Sequence, residues 1–322
     1  MTERPTLRVI KPGLQSSVQD LGRAGWRHLG IGQAGAMDGL ALQQANALLW
    51  QDLTLPALEI SGGPLELLVE QDTLFALAGA DGEVLLDGVP CPVGWVHLAR
   101  TGQRLRLRGL RAGRFAYLAL PGGIATAAHL GACSTDLAGG FGGPQGRALQ
   151  AGDALQAAAV RARLPEGRRR GLPPFVPPDV LELRVLPGPE AEGFHPEAMA
   201  AFWQADWRVS PRSNRMGSRL DGPALRRAER PDGLGELLSH AVLPGVVQVP
   251  PDGLPIVLAA DAQATGGYPR LAVVIEADLP RLAQAGPGQR LRFLPVDEPE
   301  ARAARRQARD ALHVQCLALR GR

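Results

Sequence analysis

The chain's 322 residues are 45% hydrophobic, enough to bury sizeable cores, so one large or two medium domains are expected, and a break in composition described below favours two. An aromatic share of 4% excludes extensive stacking platforms for bases or sugars. The net charge of +3 is local to Arg161, Arg163, Arg168, Arg169 and Arg170, which read as a solvated run, so nucleic acid is not an expected partner.

In chain order, residues 7–10, 57–60, 65–69, 73–78, 83–87, 95–98, 104–108 and 114–120 read as short strands punctuated by Gly, Pro or Asp. Such spacing is that of a barrel or sandwich. Between the first two, Asp38 to Trp50 has helical periodicity, with Met37, Ala41, Ala45, Leu48 and Leu49 on one face and Asp38 as N-cap. Residues 163–179 set Pro165, Pro173, Pro174, Pro177 and Pro178 beside the arginines, and are expected to link an N-terminal β-barrel lobe, 1–162, to a C-terminal one, 180–296. In the second lobe, strands are expected at 181–186, 246–249, 255–259, 271–275 and 290–294, with a short helix near 197–204. A helical tail is expected over 297–322. Gly102 to Leu107 and Gly288 to Phe293 echo one another, each alternating an apolar residue with Arg to give one buried and one wet face. The fold class expected is mainly β with few helices.

Some chemistries are excluded. Lys11 is the sole lysine, so no Walker-type phosphate loop can follow it. There is no H-E-x-x-H, no cysteine pair for zinc and no G-x-S-x-G elbow, and the six histidines lack ligand spacing, so no metal is expected. Cys91, Cys133 and Cys316 are widely spaced and odd in number, as in a reducing cytoplasm. The N-terminus lacks a signal-peptide core, and no run nears ~18 apolar residues, so no membrane span is expected.

What remains is polar residues in glycine-rich turns, where backbone N–H groups can approach a ligand. Asp20 and Arg23 lie in the first such cluster, followed by Asp38; Pro121-Gly122-Gly123 runs on to Ser134-Thr135. Asn214, Arg215, Gly217 and Arg219 form a third, and Asp261, Gln263, Thr265, Gly266, Gly267 and Tyr268 a fourth. Asp261 and Gln263 point the same way in extended chain, and the turn after them offers N–H groups, a set that suits a urea-like or lactam-like group. Arg215 and Arg219 carry the planar fork that grips a carboxylate or oxyanion. The same residues also suit turn anchoring and ordinary ion pairs, with Asp38 simply a cap, and both readings stand at this point.

In their order, these clusters resemble the family that takes in allophanate hydrolase subunit 2, biotin-dependent carboxyltransferase and the C-type subunit of 5-oxoprolinase. The likeness runs from Val9-Ile10-Lys11-Pro12-Gly13 through Ser17 to Arg23, Gly35-Ala36-Met37-Asp38, Gly79-Ala80-Asp81, Pro121 to Ile124, Ser213 to Gly217, Gln248-Val249-Pro250 and Asp261 to Pro269. The resemblance implies two cyclophilin-like β-barrel lobes, a cytoplasmic setting, and work with sister subunits of types A and B. In that setting 5-oxoproline is opened to glutamate, with ATP used by the complex and no cofactor bound covalently. The alternatives it implies are a carboxyltransferase for urea or another small amide, with biotin on a separate carrier, or a non-catalytic binding partner of the sister subunit. Carried over to this chain, Asp261, Arg215 and Asp38 would be catalytic. Asn214, Gly217, Arg219, Gln248, Gln263, Thr265, Gly266, Gly267, Tyr268, Asp20 and Arg23 would bind substrate. Cys133 departs from the basic residue common before Ser-Thr, and His240 from the Glu common after Ser.

Overall fold

The computed structural model describes residues 4–162, 171–227 and 237–320. They divide into two compact units, one within Met1–Arg23, Ala34–Val176 and Asp310–Arg322, the other within Ala24–Gln33 and Pro177–Arg309.

The first unit holds strands β1 (Leu7–Pro12) and β2 (Gln15–Gln19), helix α1 (Gly39–Leu48), then β3 (Ala57–Ser61), β4 (Leu65–Val69), β5 (Thr73–Leu86), β6 (Val89–Pro90), β7 (Val96–Ala99), β8 (Arg104–Ala119) and β9 (Ala154–Leu155). They form one nine-stranded sheet, ordered β2-β3-β8-β4-β1-β9, with β5 pairing β8, β6 and β7. The long β8 is the spine, because its two ends pair with β3 and β4 while β5 follows it throughout. Leu58, Ile60, Leu67, Phe75, Leu105, Leu107 and Leu118 pack the core from alternate strand positions. Helix α1 begins where the Asp38 carboxylate accepts from Ala41 N at 2.9 Å, and it buries the expected face, including Ala41, Ala45 and Leu48.

Two expected breaks are absent. Residues 73–78 and 83–87 are one strand, as are 104–108 and 114–120. The glycines read as turns instead sit at register shifts between Gly79 and Val84, where a bulge bends the strand without ending it. β2, by contrast, falls inside the cluster read only as a polar turn.

The second unit contains β10 (Val180–Pro187), α2 (Pro196–Gln204), β11 (Trp207–Val209), β12 (Gly217–Asp221), β13 (His240–Ala241), β14 (Val246–Gln248), β15 (Ile256–Leu258), β16 (Thr265–Gly266), β17 (Arg270–Val274), α3 (Leu279–Ala283), β18 (Arg290–Pro295) and the start of α4 (Glu298–Leu319), whose residues from Asp310 onward belong to the first unit. Seven of these strands close a barrel in the order β10-β17-β14-β15-β12-β11-β18, the ring completed by the parallel pair β10 and β18. Phe202 of α2 stacks on Phe293 at 4.5 Å between ring centroids, and Trp207 is fully buried beside them. A separate ribbon pairs β13 with β16.

The expected alternation in the two echo segments holds: Leu105 and Leu107, like Leu291 and Phe293, are buried, while their arginines converge on one carboxylate each, Glu66 and Asp206. Of the proposed linker 163–179, residues 163–170 lie outside the described residues. Leu172 is not unpacked chain: it is buried and its N–H donates to Gly94 O at 2.8 Å within the first unit. Likewise the C-terminal helix is not wholly a free tail, since Gln315 accepts from Gln44 and Leu319 O from the Trp50 indole, both in the first unit.

Candidate functional site

Arg215 and Asp261 each read as a chemical group in the sequence, and the structure joins them to one another. Arg215 Nε donates to Asp261 Oδ2 at 2.7 Å and Nη2 to Oδ1 at 2.8 Å, with both side chains 5% exposed. The loops carrying them also share backbone bonds, Asp261 N to Arg215 O at 2.9 Å and Ala259 N to Met216 O at 3.0 Å. The two polar loops of this unit therefore do meet, but through a satisfied fork-to-fork ion pair. A guanidinium occupied in this way is a poor clamp for an incoming carboxylate, and its partner a poor general base. Asn214 is likewise engaged locally: its Oδ1 accepts from Met216 N at 2.9 Å, closing the tight turn in which Asn214 and Gly217 exchange backbone bonds. Arg219 is an exposed residue of β12.

The other predicted residues of this unit gather around Gly266. Gln248, at the end of β14, is 2% exposed, and its Nε2 donates to Tyr268 O at 3.2 Å. A Cβ added at Gly266 would lie 2.8 Å from Gln248 Nε2, 3.4 Å from its Oε1 and 3.3 Å from Gln263 Nε2. The absence of a side chain at Gly266 thus lets two carboxamides close against its backbone, and a methyl group there would displace Gln248. Thr265 and Gly266 are held by pairing with Ala241 and His240, Gly267 faces Leu237 O, and Tyr268 is 45% exposed beside them.

Two more residues lie nearby: Arg27, and His240, which the sequence marks only as a departure from the Glu common after Ser. His240 Nδ1 lies 3.0 Å from Leu238 O; a carbonyl only accepts, so Nδ1 carries a proton, and Nε2 is buried without a hydrogen-bond partner among the described residues. Arg27, in a single 3-10 turn at Arg27–Leu29, donates to Val242 O at 2.6 Å and Gln263 O at 2.7 Å. Neither sits in a pattern with a chemical meaning, and contacts across more than 200 residues have no local signal. Behind the ribbon, Arg270 pairs with Glu190, whose carboxyl is held below its ordinary range first by that hydrogen bond.

Asp38, Asp20 and Arg23 belong to the first unit and are engaged there. Asp38 caps α1, and its N–H donates to Tyr117 Oη at 2.8 Å; Tyr117 Oη donates to Glu59 Oε2 at 2.7 Å, which also accepts from Met37 N at 2.8 Å. Burial, followed by the nearby carboxylates of Glu59 and Asp38, pushes the Tyr117 phenol far up, so it stays a donor. Glu59 and Tyr117 escape a reading of the sequence because each lies within a short run of apolar neighbours. Asp20 accepts from Gly22 N at 2.8 Å, Cys133 N at 2.6 Å and the Ser134 hydroxyl, fastening two loops. Arg23, 1% exposed, bonds Ser134 O at 2.5 Å, lies 3.6 Å from Asp136 and stacks on Phe141 at 4.6 Å. In this structure these two side chains hold loops in place.

A family model described as carboxyltransferase domain, subdomain A and B, matches residues 29–295. The C-type subunit of Escherichia coli 5-oxoprolinase is 44% identical over 311 residues, 93% of this chain and 94% of that protein. The Haemophilus influenzae protein of the same name is 40% identical over 296 residues, 91% of this chain and 92% of its own length. Among solved structures, the Kluyveromyces lactis urea amidolyase superposes with a TM-score of 0.87 at 26% identity over 97% of this chain and 20% of its own. TTHA0988 gives 0.80 at 37% identity over 91% of this chain and 56% of its own. The chain is thus coextensive with the two bacterial relatives and corresponds to one portion of the longer proteins. It belongs to the carboxyltransferase domain family, subdomains A and B.

Proposed function

We propose that this chain is a subunit of an ATP-dependent 5-oxoprolinase in the cytoplasm, supplying the amide-recognition site while sister subunits of the A and B types complete the reaction. The observation that carries the reading is the likeness to two bacterial proteins of the 5-oxoprolinase C type over more than nine tenths of this chain, and the carboxamides of Gln248 and Gln263, which meet at Gly266, are the groups suited to an amide. A lactam is a poor electrophile because its nitrogen lone pair is delocalised into the carbonyl. Donors aimed at the oxygen favour the charge that builds there as the ring C–N bond is attacked, and an acceptor at the N–H fixes the ring's orientation. ATP cleavage belongs to the complex, since the sequence carries no Walker-type loop for it. Near-full-length identity to two bacterial proteins named for this 5-oxoprolinase role supports the choice of substrate.

A second reading has its own support. Urea and the ureido ring of biotin present the same amide edge, and the urea amidolyase likeness spans nearly all of this chain. Co-expression with the sister subunits separates them. The proposal predicts glutamate released from 5-oxoproline only when ATP and all subunits are present. Activity that instead requires urea and a biotinylated carrier would favour the second reading, and tight association without turnover of either would leave a binding role.

A further inference from the structure

The β13–β16 ribbon stands apart from the barrel with two residues in each strand, and a two-stranded pairing so short is not stable by itself in water. Its geometry is therefore set by what grips it from outside. Arg270 Nη1 donates to Ala241 O at 3.2 Å, and Gln248 Nε2 donates to Tyr268 O at 3.2 Å, just past β16. At the other end the pairing stops once Val242 N has donated to Ala264 O at 3.1 Å. There Arg27 takes over: its single Nη2 amino group donates to Val242 O at 2.6 Å and to Gln263 O at 2.7 Å. One planar group thereby ties together two chain segments that the ribbon itself no longer joins.

What this clamp holds is Gln263. The Gln263 carboxamide is exposed and makes no hydrogen bond among the described residues, so nothing fixes it from the side-chain end. Its place beside Gly266 follows from its backbone, and the backbone carbonyl is the atom that Arg27 grips. Gln248, the other carboxamide, is 2% exposed, which leaves Gln263 as the one of the pair that an incoming amide meets from solvent. We propose that Arg27 is a positioning residue of the amide site, acting through Gln263: the guanidinium holds the Gln263 backbone on the ribbon and so aims a carboxamide that has no other support. This role rests on the amide-site reading above and adds to it a residue that never touches the ligand, more than 200 positions away in the chain.

Two measurements test it, both with Arg27→Met, which keeps an apolar stem and removes the donors, and Arg27→Lys, which keeps a cationic donor. In hydrogen exchange on the full chain, the Val242 N–H of Arg27→Met exchanges about tenfold or more faster than in the wild type, the scale of a lost charge-assisted contact, while the N–H groups of barrel strands β14 and β15 are unchanged. Exchange at Val242 equal to the wild type overturns the clamp. In kinetics of the complex assembled with sister subunits and ATP, Gln263→Ala and Arg27→Met each lower kcat/KM for 5-oxoproline by about tenfold or more, and Arg27→Lys by less. Arg27→Met adds no further loss to Gln263→Ala, because no carboxamide is left to aim. Losses that multiply in the double variant mark a merely structural arginine and overturn the proposal. If Gln263→Ala loses activity while folded Arg27→Met turns over at the wild-type rate, the amide site stands and Arg27 alone is refuted; if Gln263→Ala is itself fully active, both fall. Circular dichroism establishes that the variants are folded, and should Arg27→Met not be, Arg27→Lys carries both measurements through its smaller effects.

Discussion

Arg215 and Asp261 show how a residue type can be legible in the sequence while its partner is not. An arginine and an aspartate in glycine-flanked loops have the chemistry of a site, but their partners are 46 positions apart, and only the closure of the barrel brings them together. The pair is desolvated, so its members cannot be removed singly without exposing the other as a buried charge. Arg215→Ala is therefore expected to lower unfolding free energy by about 3–5 kcal/mol in urea titrations, whereas replacing both residues with apolar ones of similar size restores most of the loss. A single variant of wild-type stability that loses only ligand binding would return the pair to chemistry. Tyr117 gives a second test. Removing its hydroxyl leaves buried Glu59 short of a donor, so Tyr117→Phe costs about 1–3 kcal/mol. The folded phenol is raised above its ordinary value of 10.0, hence the folded chain keeps a proton that the unfolded chain releases. Stability from this group is complete below about 10 and falls as pH rises beyond it. In a pH series of melting curves, that alkaline decline should be shallower in Tyr117→Phe; an identical decline would contradict the assignment.

At the level of elements, what the sequence showed plainly was periodicity. Helix α1 and its Asp38 cap were legible because capping and an apolar stripe are local, and the alternation of Leu with Arg in β8 and β18 was legible for the same reason. Strand continuity was not. Gly79, Gly82 and Gly109 read as stops, yet β5 and β8 run on through them, and Gly82 permits close backbone approach at a bulge: a Cβ there would stand 2.5 Å from Gly109 O. Both sides of that contact are backbone, so neither can rotate away. Gly82→Ala is expected to destabilise the first unit by about 1–3 kcal/mol, seen as a lower unfolding midpoint. An unchanged midpoint would mean that the bulge relaxes freely.

Across the whole molecule, the even rhythm of short apolar runs and turns announced a mainly β protein, and the ordered clusters announced its family. Neither could show that Ala24–Gln33 joins the second unit or that the end of the chain returns to the first, since such exchanges depend on contacts between distant segments. The same blindness hid Arg27 and the surroundings of His240, while Gln248, Gln263 and Gly266 were legible as motif residues without a sign that they meet. That meeting of two carboxamides is the centre of the functional account, and kinetics of the assembled complex tests it most directly. With sister subunits and ATP, Gly266→Ala should lower kcat/KM for 5-oxoproline by about a hundredfold, the scale of losing oriented hydrogen bonds at a reacting carbonyl, with assembly and unfolding midpoint unchanged. A variant that assembles and turns over at the wild-type rate would contradict it.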